Sequence, residues 1–576
     1  MSSKTKQKNF SVDFNGFGGI DCQASHSGKP VASDIVNFRI RADGSLEKRY
    51  GYRLLTDVGG TIRAFHSTLL DGAYIGYVLA GNTFSILDFS TGVLSAVGTV
   101  GTDQGKACLF YYDGELYLSD SQTLYRYRDG ALTQAVGYVP LVGKDWPNDE
   151  VGEPFEPRNL LNRHARISYV IGEIPTIFLC TQYPVESVQA VYVNGIQISE
   201  ERYSIDTKFT TVNVLDLAAG DRVEVHLTYA ENENATLLSE FLSCQRSILF
   251  GTSTNNRLFF WDGDRSHTVF CSSHVSSTDL AASQRHFPDS DGLYLPRGHE
   301  FRVGNGRYQL QGATRHYDRL LLFTEGDAWM AKHDTSGQEE FPTVSINSDI
   351  GCASKNGVIL TENTPITLGQ HTVWQWTDET DEMSRCNASS LSAAIDAKLS
   401  KEEFTRSGLH FNRAERELWL HDPVTGNVWI YNFINRAWYR FSGIYADRLF
   451  DADGTVGFVR GQKIYLFDRS AVRDYDDDGA GRAIHAQYVS GLLDFGTERM
   501  KNLSCLVLRG DMDGGTLTVA VSGNGIRQES CILAGGGEHT VLRRRLPSGR
   551  FRYASVRLSA YGDERQVIHS LTLHTR

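Results

Sequence analysis

The sequence predicts an all-β protein: a six- or seven-bladed β-propeller with one β-sandwich inserted between blades and a second β-sandwich at the C-terminal end. Three observations lead there. Short runs of apolar, β-branched and aromatic residues are cut every few positions by Asn-Asn, Asp-Gly or Glu-Gly pairs. Such runs are too short for helices, and the cuts supply the Asn and Gly residues that tight hairpins need for positive φ. The strand–turn–strand unit also recurs: Arg257–Trp261 runs into Asp262-Gly263, and Arg319–Thr324 runs into Glu325-Gly326-Asp327 before Ala328-Trp329-Met330 starts a return strand. Finally, 55 Gly against 13 Pro, with aromatics at 11%, favours many turns between sheet strands over Pro-rich linkers or helical bundles.

At 576 residues the chain is too long for one ordinary domain, so two to four are expected. An apolar fraction of 41% supplies a real core and excludes wholesale disorder. The formal net charge of −12 is wrong for a protein that grips DNA, where Lys and Arg must displace the counterion atmosphere. An acidic surface serves solubility, and beside DNA it repels, which suits a passage better than a clamp. The nine cysteines are widely spaced and include no C-x-x-C pair, which argues against a disulfide framework or a zinc site and for free thiols in a reducing cytosol. The first residues, MSSKTKQKNFSVDFNGFGGID, lack an apolar signal core, and no window approaches 18 uninterrupted apolar residues.

Residues 1–34 are Gly- and Ser-rich and are expected to form an extended arm ordered by its contacts. Val36–Ile40 reads as a strand, Ala42–Ser45 as its turn and Leu46–Arg49 as the partner, opening a first group of blades over residues 35–145. Residues 73–98 and 114–137 share one grammar: an apolar strand, a polar turn, an aromatic strand, a Gly turn, and a last strand ending Ala-Val-Gly. Val97-Gly98 and Val136-Gly137 lie 39 residues apart, close to the period of four-stranded blades. Further copies at Ser247–Ser273, Gly312–Met330, Gly357–Trp376, Leu409–Tyr439 and Arg448–Phe467 place the remaining blades in residues 245–480. Residues 146–244 interrupt them. Trp146–Pro157 is an acidic, Pro-punctuated linker; Val188–Leu215 alternates with period two around Asn194-Gly195, a type I′ signal; Arg222–Ala230 is another alternating strand. Together they predict a small inserted sandwich with one face packed and one wet. Two helices are expected: Ser389–Leu399, with Leu391, Ala394, Ile395 and Leu399 on one face and Ser389 as cap, and a second around Ala235–Leu242. Residues 484–576 carry five alternating strands at sandwich spacing and are assigned a β-sandwich of their own.

Chemistry-bearing patterns are few. Asp474, Asp476, Asp478 and Gly479 open like a calcium loop, but the twelfth position, where a bidentate carboxylate closes the site, is His485. A solvated inter-domain linker is the simpler reading; a calcium site would make chelation lower the melting temperature. His316, His371 and His421 lie in or beside strands and read as packed or surface residues. Asp327, Asp378, Asp381 and Asp422 fall in expected blade turns and read as solvated turn carboxylates, although paired carboxylates across a propeller face can hydrolyse glycosides. G-x-S-x-G, H-E-x-x-H and G-x-x-x-x-G-K-[ST] do not occur, and the Gly535–Gly537 run precedes Glu538-His539 rather than a helix. Arg543-Arg544-Arg545 reads as a solvated basic turn. No cofactor signature or catalytic constellation is present, so the chain is read as having no enzymatic activity and no cofactor.

Several segments together resemble a bacteriophage tail family, the propeller proteins of short-tailed phages called tail nozzle, tail hub or packaged-DNA stabilisation proteins. VNFRIRADGSLEKRYGY (Val36–Tyr52), with its N-x-R strand, Gly turn and K-R-x-G-Y end, is similar to that group's opening. NNRLFFWDGDRSHTVFCSSHV (Asn255–Val275), FPDSDGLYL (Phe287–Leu295) and GATRHYDRLLLFTEGDAWM (Gly312–Met330) are similar to its central blades, and SDIGCAS (Ser348–Ser354) to the start of the next. The resemblance covers roughly residues 33–60 and 245–360. It implies a virion tail component made in the host bacterial cytoplasm, without enzymatic activity and without membrane insertion. It implies assembly as a homo-oligomeric ring docked to portal and adaptor proteins, bearing tail fibres or spikes, with DNA passing through. Two other classes stay open: a carbohydrate-binding or carbohydrate-cleaving propeller, and a cellular propeller scaffold for protein partners.

Overall fold

The computed structural model describes residues 10–23, 31–70, 72–179, 181, 183–206, 211–230, 234–251, 256–334, 341–378, 386–452, 454–476, 479–513, 515–524, 526–534, 537–545 and 550–575. Among them lie seven four-stranded antiparallel blades. Their inner strands are Ile62–Leu70, Cys108–Tyr112, Arg246–Phe250, Leu310–His316, Val358–Thr361, Gly408–Asn412 and Arg448–Ala452. Each inner strand neighbours those of the blades before and after it, and the seventh neighbours the first, so the ring is closed. The repeat copies expected from residue 73 onward fall in these blades, except that residues 135–137 leave blade two, whereas the expected first hairpin, Val36–Arg49, does not lie in a blade.

Face-to-face packing of blades explains why their middle strands read as continuous apolar runs instead of alternating ones. In Arg319–Thr324, Leu320 and Leu322 join Phe259 and Trp261 on one side, while Leu321 and Phe323 join Trp376 on the other. In Arg257–Trp261, Leu258 and Phe260 likewise face Phe110 and Phe241, opposite to Phe259. Every second side chain thus belongs to a different interblade core.

Blade seven has only three strands of its own, Arg448–Ala452, Thr455–Arg460 and Lys463–Phe467. Its outer strand is Tyr52–Asp57, from near the other end of the chain, paired antiparallel from Phe467↔Tyr52 to Lys463↔Asp57. Tyr52 is fully buried, edge-on to Phe458 and Tyr465 at 4.9 and 5.5 Å between ring centroids.

The insert begins earlier than expected. Leu141–Pro147, expected to be the end of the blades and the start of the linker, is a strand parallel to His164–Val170, and Trp146 is in the insert's core. That sheet continues through Arg222–Tyr229 and Val185–Val193 to Ile196–Gln197, and faces a smaller sheet of Thr176–Phe178, Thr211–Val214 and Tyr203–Asp206. Asn194 and Gly195 turn the hairpin with φ of 51° and 82°, as type I′ requires. The exit into this module also explains why the second repeat differs from the first. The outer strand of blade two stops at Gln134, and Val136-Gly137 leads out of the blade.

The C-terminal sandwich is not self-contained, and residues 35–48 are not blade. One of its sheets runs Phe38–Ile40, Leu46–Lys48, Gln566–Thr575, Leu503–Met512, Gly537–Arg545, with Phe10–Phe14 also paired to Gln566–Thr575. The other is a nine-stranded sheet that starts as blade six, continues through Ala32–Val36 and ends in Ala486–Ser490, Ala554–Tyr561, Thr516–Gly523 and Ile526–Ala534. Ala32–Val36 is the seam, parallel to Ala437–Phe441 on one side and antiparallel to Ala486–Ser490 on the other. Phe10–Phe14 and Ala32–Val36, from the expected arm, and the first hairpin are therefore structural strands of the sandwich sheets.

Of the expected helices, Ala235–Leu242 is present. Ser389–Leu399 is not one helix: Cys386–Ser390 is the outer strand of blade five, with Ser389 opposite Gln375, and only Asp396–Leu399 is helical. The blade's need for a fourth strand overrides the local helical spacing. Ser277–Gln284, capped by the Ser276 hydroxyl accepting from the Asp279 amide, is a helix the sequence did not announce. No helix of the described residues is long and apolar enough to cross a membrane.

Closure by Tyr52 is testable. Tyr52→Ala is expected to cost about 3–5 kcal/mol of unfolding free energy, the usual loss for a fully buried aromatic, measured by denaturant titration. A loss below ~1 kcal/mol would show that the ring closes without this side chain.

Candidate functional site

Two joints between modules are held by buried polar and charged side chains. The strongest joint is built from the hairpin Phe38–Lys48 and the residues that follow it. Asn37, at φ 56°, donates from Nδ2 to the His485 carbonyl (2.8 Å) and the Ser442 hydroxyl (3.1 Å), and its Oδ1 accepts from Arg49 Nε (2.9 Å). Arg39 donates from Nε and Nη2 to Glu417 Oε1 at 3.0 and 2.8 Å. Glu417, on the second strand of blade six, is fully buried, and its oxygens also accept from Trp419 Nε1 (3.0 Å) and the Tyr439 hydroxyl. Burial, the largest single influence, would push the Arg39 guanidinium down; the Glu417 carboxylate, together with Tyr439, Tyr50 and Glu415, outweighs it and raises the pKa, so Arg39 stays cationic.

Arg49 makes the second buried pair, fork to fork with Asp474: Nη1 to Oδ1 and Nη2 to Oδ2, each 2.7 Å. Asp474 follows blade seven, so this pair ties the hairpin to the closing blade while Arg39 ties it to blade six. Lys48, its pKa lowered by burial, donates to the Gly562 carbonyl in the C-terminal sandwich. Gly51 admits no side chain, because a Cβ there would lie 1.8 Å from the Arg473 carbonyl oxygen. Over this joint lies a cavity of about 440 Å³. Its charged groups pair among themselves: Arg469 with Glu415 at 2.8 Å, Arg39 with Glu415 at 3.2 Å, Arg565 with Glu47.

A second joint docks the insert. Tyr138 N donates to the Leu293 carbonyl and Leu160 N to the Leu295 carbonyl. Asp291 accepts from the amides of Gly137 (3.1 Å) and Leu293 (2.9 Å), and Tyr294 donates to the Pro157 carbonyl (2.6 Å). Burial raises the Asp291 pKa and that of Glu156, which accepts from the Tyr138 hydroxyl and the Leu141 amide. Phe287 packs between His164 and His226 at centroid distances of 4.5 and 5.8 Å.

These contacts revise the sequence reading of individual residues. Asp474 is not part of a solvated linker: it is buried, with both carboxylate oxygens taken by Arg49. Asp476 accepts from Arg460 (2.9 Å) and Tyr52 (3.3 Å); Asp478 lies outside the described residues. Two members of the supposed calcium loop thus hold protein cations, and no group of three metal-ligating side chains occurs among the described residues. Asp327 and Asp422 are turn residues but buried: Asp327 accepts from Trp329 Nε1 (2.8 Å), and Asp422 from the Val424 amide and the Thr425 hydroxyl. Asp378 is in the third strand of blade five rather than a turn, and Asp381 lies outside the described residues. His316 is buried, His371 exposed. His421 is buried, with Nδ1 2.9 Å from the Ala446 carbonyl. Arg543, Arg544 and Arg545 are exposed but lie in an edge strand opposite Val507, Leu506 and Cys505, not in a turn. Gly535 and Gly536 lie outside the described residues, whereas Glu538 and His539 belong to that same strand. The seven cysteines whose side chains are described are free thiols.

Sequence reasoning noted the N-x-R and K-R-x-G-Y residues but could not name their partners. Glu417 and Asp474 lie far along the chain, and nothing local marks either as a buried counter-ion.

No protein-family model matches the chain, and no curated protein is significantly similar to it. Among solved structures it is similar to a chain of the crystal structure of the mitotic checkpoint complex, at 9% identity and TM-score 0.35, covering 73% of this chain and 93% of that one. It is similar to the AfRom2 CNH domain, at 7% identity and TM-score 0.35, covering 73% and 99%. It is also similar to BBS1N in complex with ARL6DN, at 10% identity and TM-score 0.26, covering 73% and 99%. None of these carries a functional inference to this chain.

Two measurements test the joint. Arg49→Ala is expected to cost about 3–5 kcal/mol, because it strands the Asp474 charge in the interior; adding Asp474→Ala should recover part of that loss, and strictly additive losses would show that the pair is not coupled. His421 sets an acid limit. Burial lowers its pKa from 6.5 to about 4, so the unfolded chain takes up a proton first. The neutral form's contribution is complete above pH 6.5 and drains away between pH 6.5 and 4, on the order of 3 kcal/mol in all. His421→Gln should flatten the stability profile across that window, and an unchanged slope would assign acid sensitivity elsewhere.

Proposed function

We propose that this chain is a structural component of a bacteriophage tail. Copies assemble into a ring that continues and closes the DNA channel below the portal and adaptor, with fibres or spikes beside it. The observation that carries this reading is where the resembling segments lie. Asn37, Arg39, Lys48, Arg49, Gly51 and Tyr52 fasten blade six, blade seven and the C-terminal sandwich together. The segment Phe287–Leu295 fastens the insert to the propeller. In Ser348–Ser354, the Cys352 amide bonds to the Thr324 carbonyl of blade four, and the Ser354 hydroxyl to the Ser407 carbonyl at the entry to blade six. The residues that carry the resemblance therefore link modules to one another, as a load-transmitting ring would require, and Arg39 and Arg49 are engaged with protein carboxylates.

Two further features agree. The net charge of −12 suits a wall that DNA passes without sticking. Ring symmetry multiplies individually weak contacts, so the isolated subunit can remain monomeric and assemble only on its portal complex. A carbohydrate-cleaving propeller needs two carboxylates facing one cleft, whereas Asp327 and Asp422 are both committed within their own turns.

Proteomics and cryo-electron microscopy of purified virions test the reading. The chain is expected in multiple symmetry-related copies at the tail vertex. Its absence from virions, or cleavage of a polysaccharide by the purified monomer, would overturn it; partner binding without ring assembly would favour a scaffold role.

A further inference from the structure

The inner strands of blades three, four and five, Arg246–Phe250, Leu310–His316 and Val358–Thr361, run side by side. Where they end, a cavity of about 260 Å³ opens. Leu249 and Leu360 give it an apolar wall, and Arg315, Tyr317, Asn256 and Asn363 supply polar groups; no carboxylate lines it. Two of these residues are set in an unusual way. Tyr317 and Asp318 form the two-residue loop between His316 and Arg319, which pair across the hairpin. Tyr317 takes φ 53°, a left-handed backbone that favours Gly, Asn or Asp. At the same loop position three other hairpins place Asp113, Asp129 and Asn194, with φ of 49°, 50° and 51°. Here the position holds an aromatic that is 73% exposed, so the fold gains neither a relaxed turn nor a buried ring from it. Backbone held in such a conformation is characteristic of functional sites. The Tyr317 ring lies 4.6 Å from that of the buried His316, centroid to centroid, which steadies it at the edge of the cavity. Arg315 is exposed and has no hydrogen-bond or ion-pair partner among the described residues.

We infer that this cavity binds an acidic pyranose, a sugar ring bearing one carboxylate. Tyr317 offers an aromatic face to the apolar C–H face of such a ring. The Arg315 guanidinium matches a planar carboxylate with two parallel N–H donors. The Asn256 and Asn363 carboxamides both donate and accept, as neighbouring sugar hydroxyls require. A phosphate-bearing ligand fits less well, because Arg315 is the one arginine or lysine in the lining and would leave a dianion half neutralised. The volume suits a single ring. With no carboxylate in the lining, the site has no pair of acids for glycoside cleavage, so the activity inferred is recognition alone. It does not rest on the tail reading, since sugar binding by the purified chain is measured without virions.

Saturation-transfer NMR and calorimetric titration of the full chain test it, with glucuronate and N-acetylneuraminate as acidic sugars and with glucose and adenosine monophosphate as controls. Saturable binding of at least one acidic sugar is expected, about tenfold or more tighter than either control. Arg315→Gln should abolish the preference for acidic over neutral sugar. Tyr317→Gly should weaken acidic-sugar binding about tenfold or more while the melting temperature holds or rises, because glycine relaxes the turn. No saturable binding of either acidic sugar by the unaltered chain would overturn the inference whether or not the variants fold. So would glucose bound equally well, or acidic-sugar binding unchanged in Tyr317→Gly. Tighter binding of adenosine monophosphate through Tyr317 would also overturn it, by reassigning the site to nucleotides.

Discussion

Arg39, on one short hairpin, and Arg49, just after it, point their guanidiniums at carboxylates that enter from two different parts of the molecule. Glu417 comes from within blade six and Asp474 from just beyond blade seven. The Arg39–Glu417 pair needs blade six in place and the Arg49–Asp474 pair needs the chain beyond blade seven, and neither charge could stay buried alone, since an uncompensated ion in the interior costs several kcal/mol. The two pairs therefore act as a condition on the whole assembly. The hairpin is seated only when both blades are in place, and the blades are neutralised only when the hairpin is seated. The strand that follows, Tyr52–Asp57, completes blade seven and so closes the ring.

This arrangement joins what would otherwise be separate domains. A propeller ring closes most securely when its last blade takes strands from both parts of the chain, because opening it then requires pulling a strand out of a sheet. Here the same short stretch also supplies strands to both sheets of the C-terminal sandwich, through Ala32–Val36 and the hairpin Phe38–Lys48. Blade six runs without interruption into one sandwich sheet, and a single hydrophobic core spans blades five to seven, the N-terminal strands and the sandwich. The insert is held differently, by backbone pairing and buried carboxylates across residues 137–160 and 287–295, a smaller and more polar joint.

Joints of this kind are what the proposed structural role in a tail ring would use. The buried charges of the hairpin joint, Arg39 with Glu417 and Arg49 with Asp474, are paired with one another, and the modules are attached to the ring at two places, the insert between blades two and three and the sandwich beside blades six and seven.

Local chemistry was enough to reveal the strands and turns. Asn194-Gly195, Asp113-Gly114 and Asp129-Gly130 adopt the positive φ values that their residue types favour, and the apolar middle strands read as strands because blades bury both of their faces. The sequence by itself thus determined the all-β class, the blade repeats and the existence of two added sandwiches. It could not say which sheet each strand would join, because a lone strand leaves both backbone edges open and its partner is chosen by whatever edge lies nearest in space. Hence Phe10–Phe14 and Phe38–Lys48 looked like an arm and a first blade, Ser389 looked helical, and Asp474 looked solvated. Only the tertiary structure decided these, since the partners Gln566–Thr575, Glu417, Gln375 and Arg49 are set by long-range closure of the ring, which leaves no trace in the residues beside them.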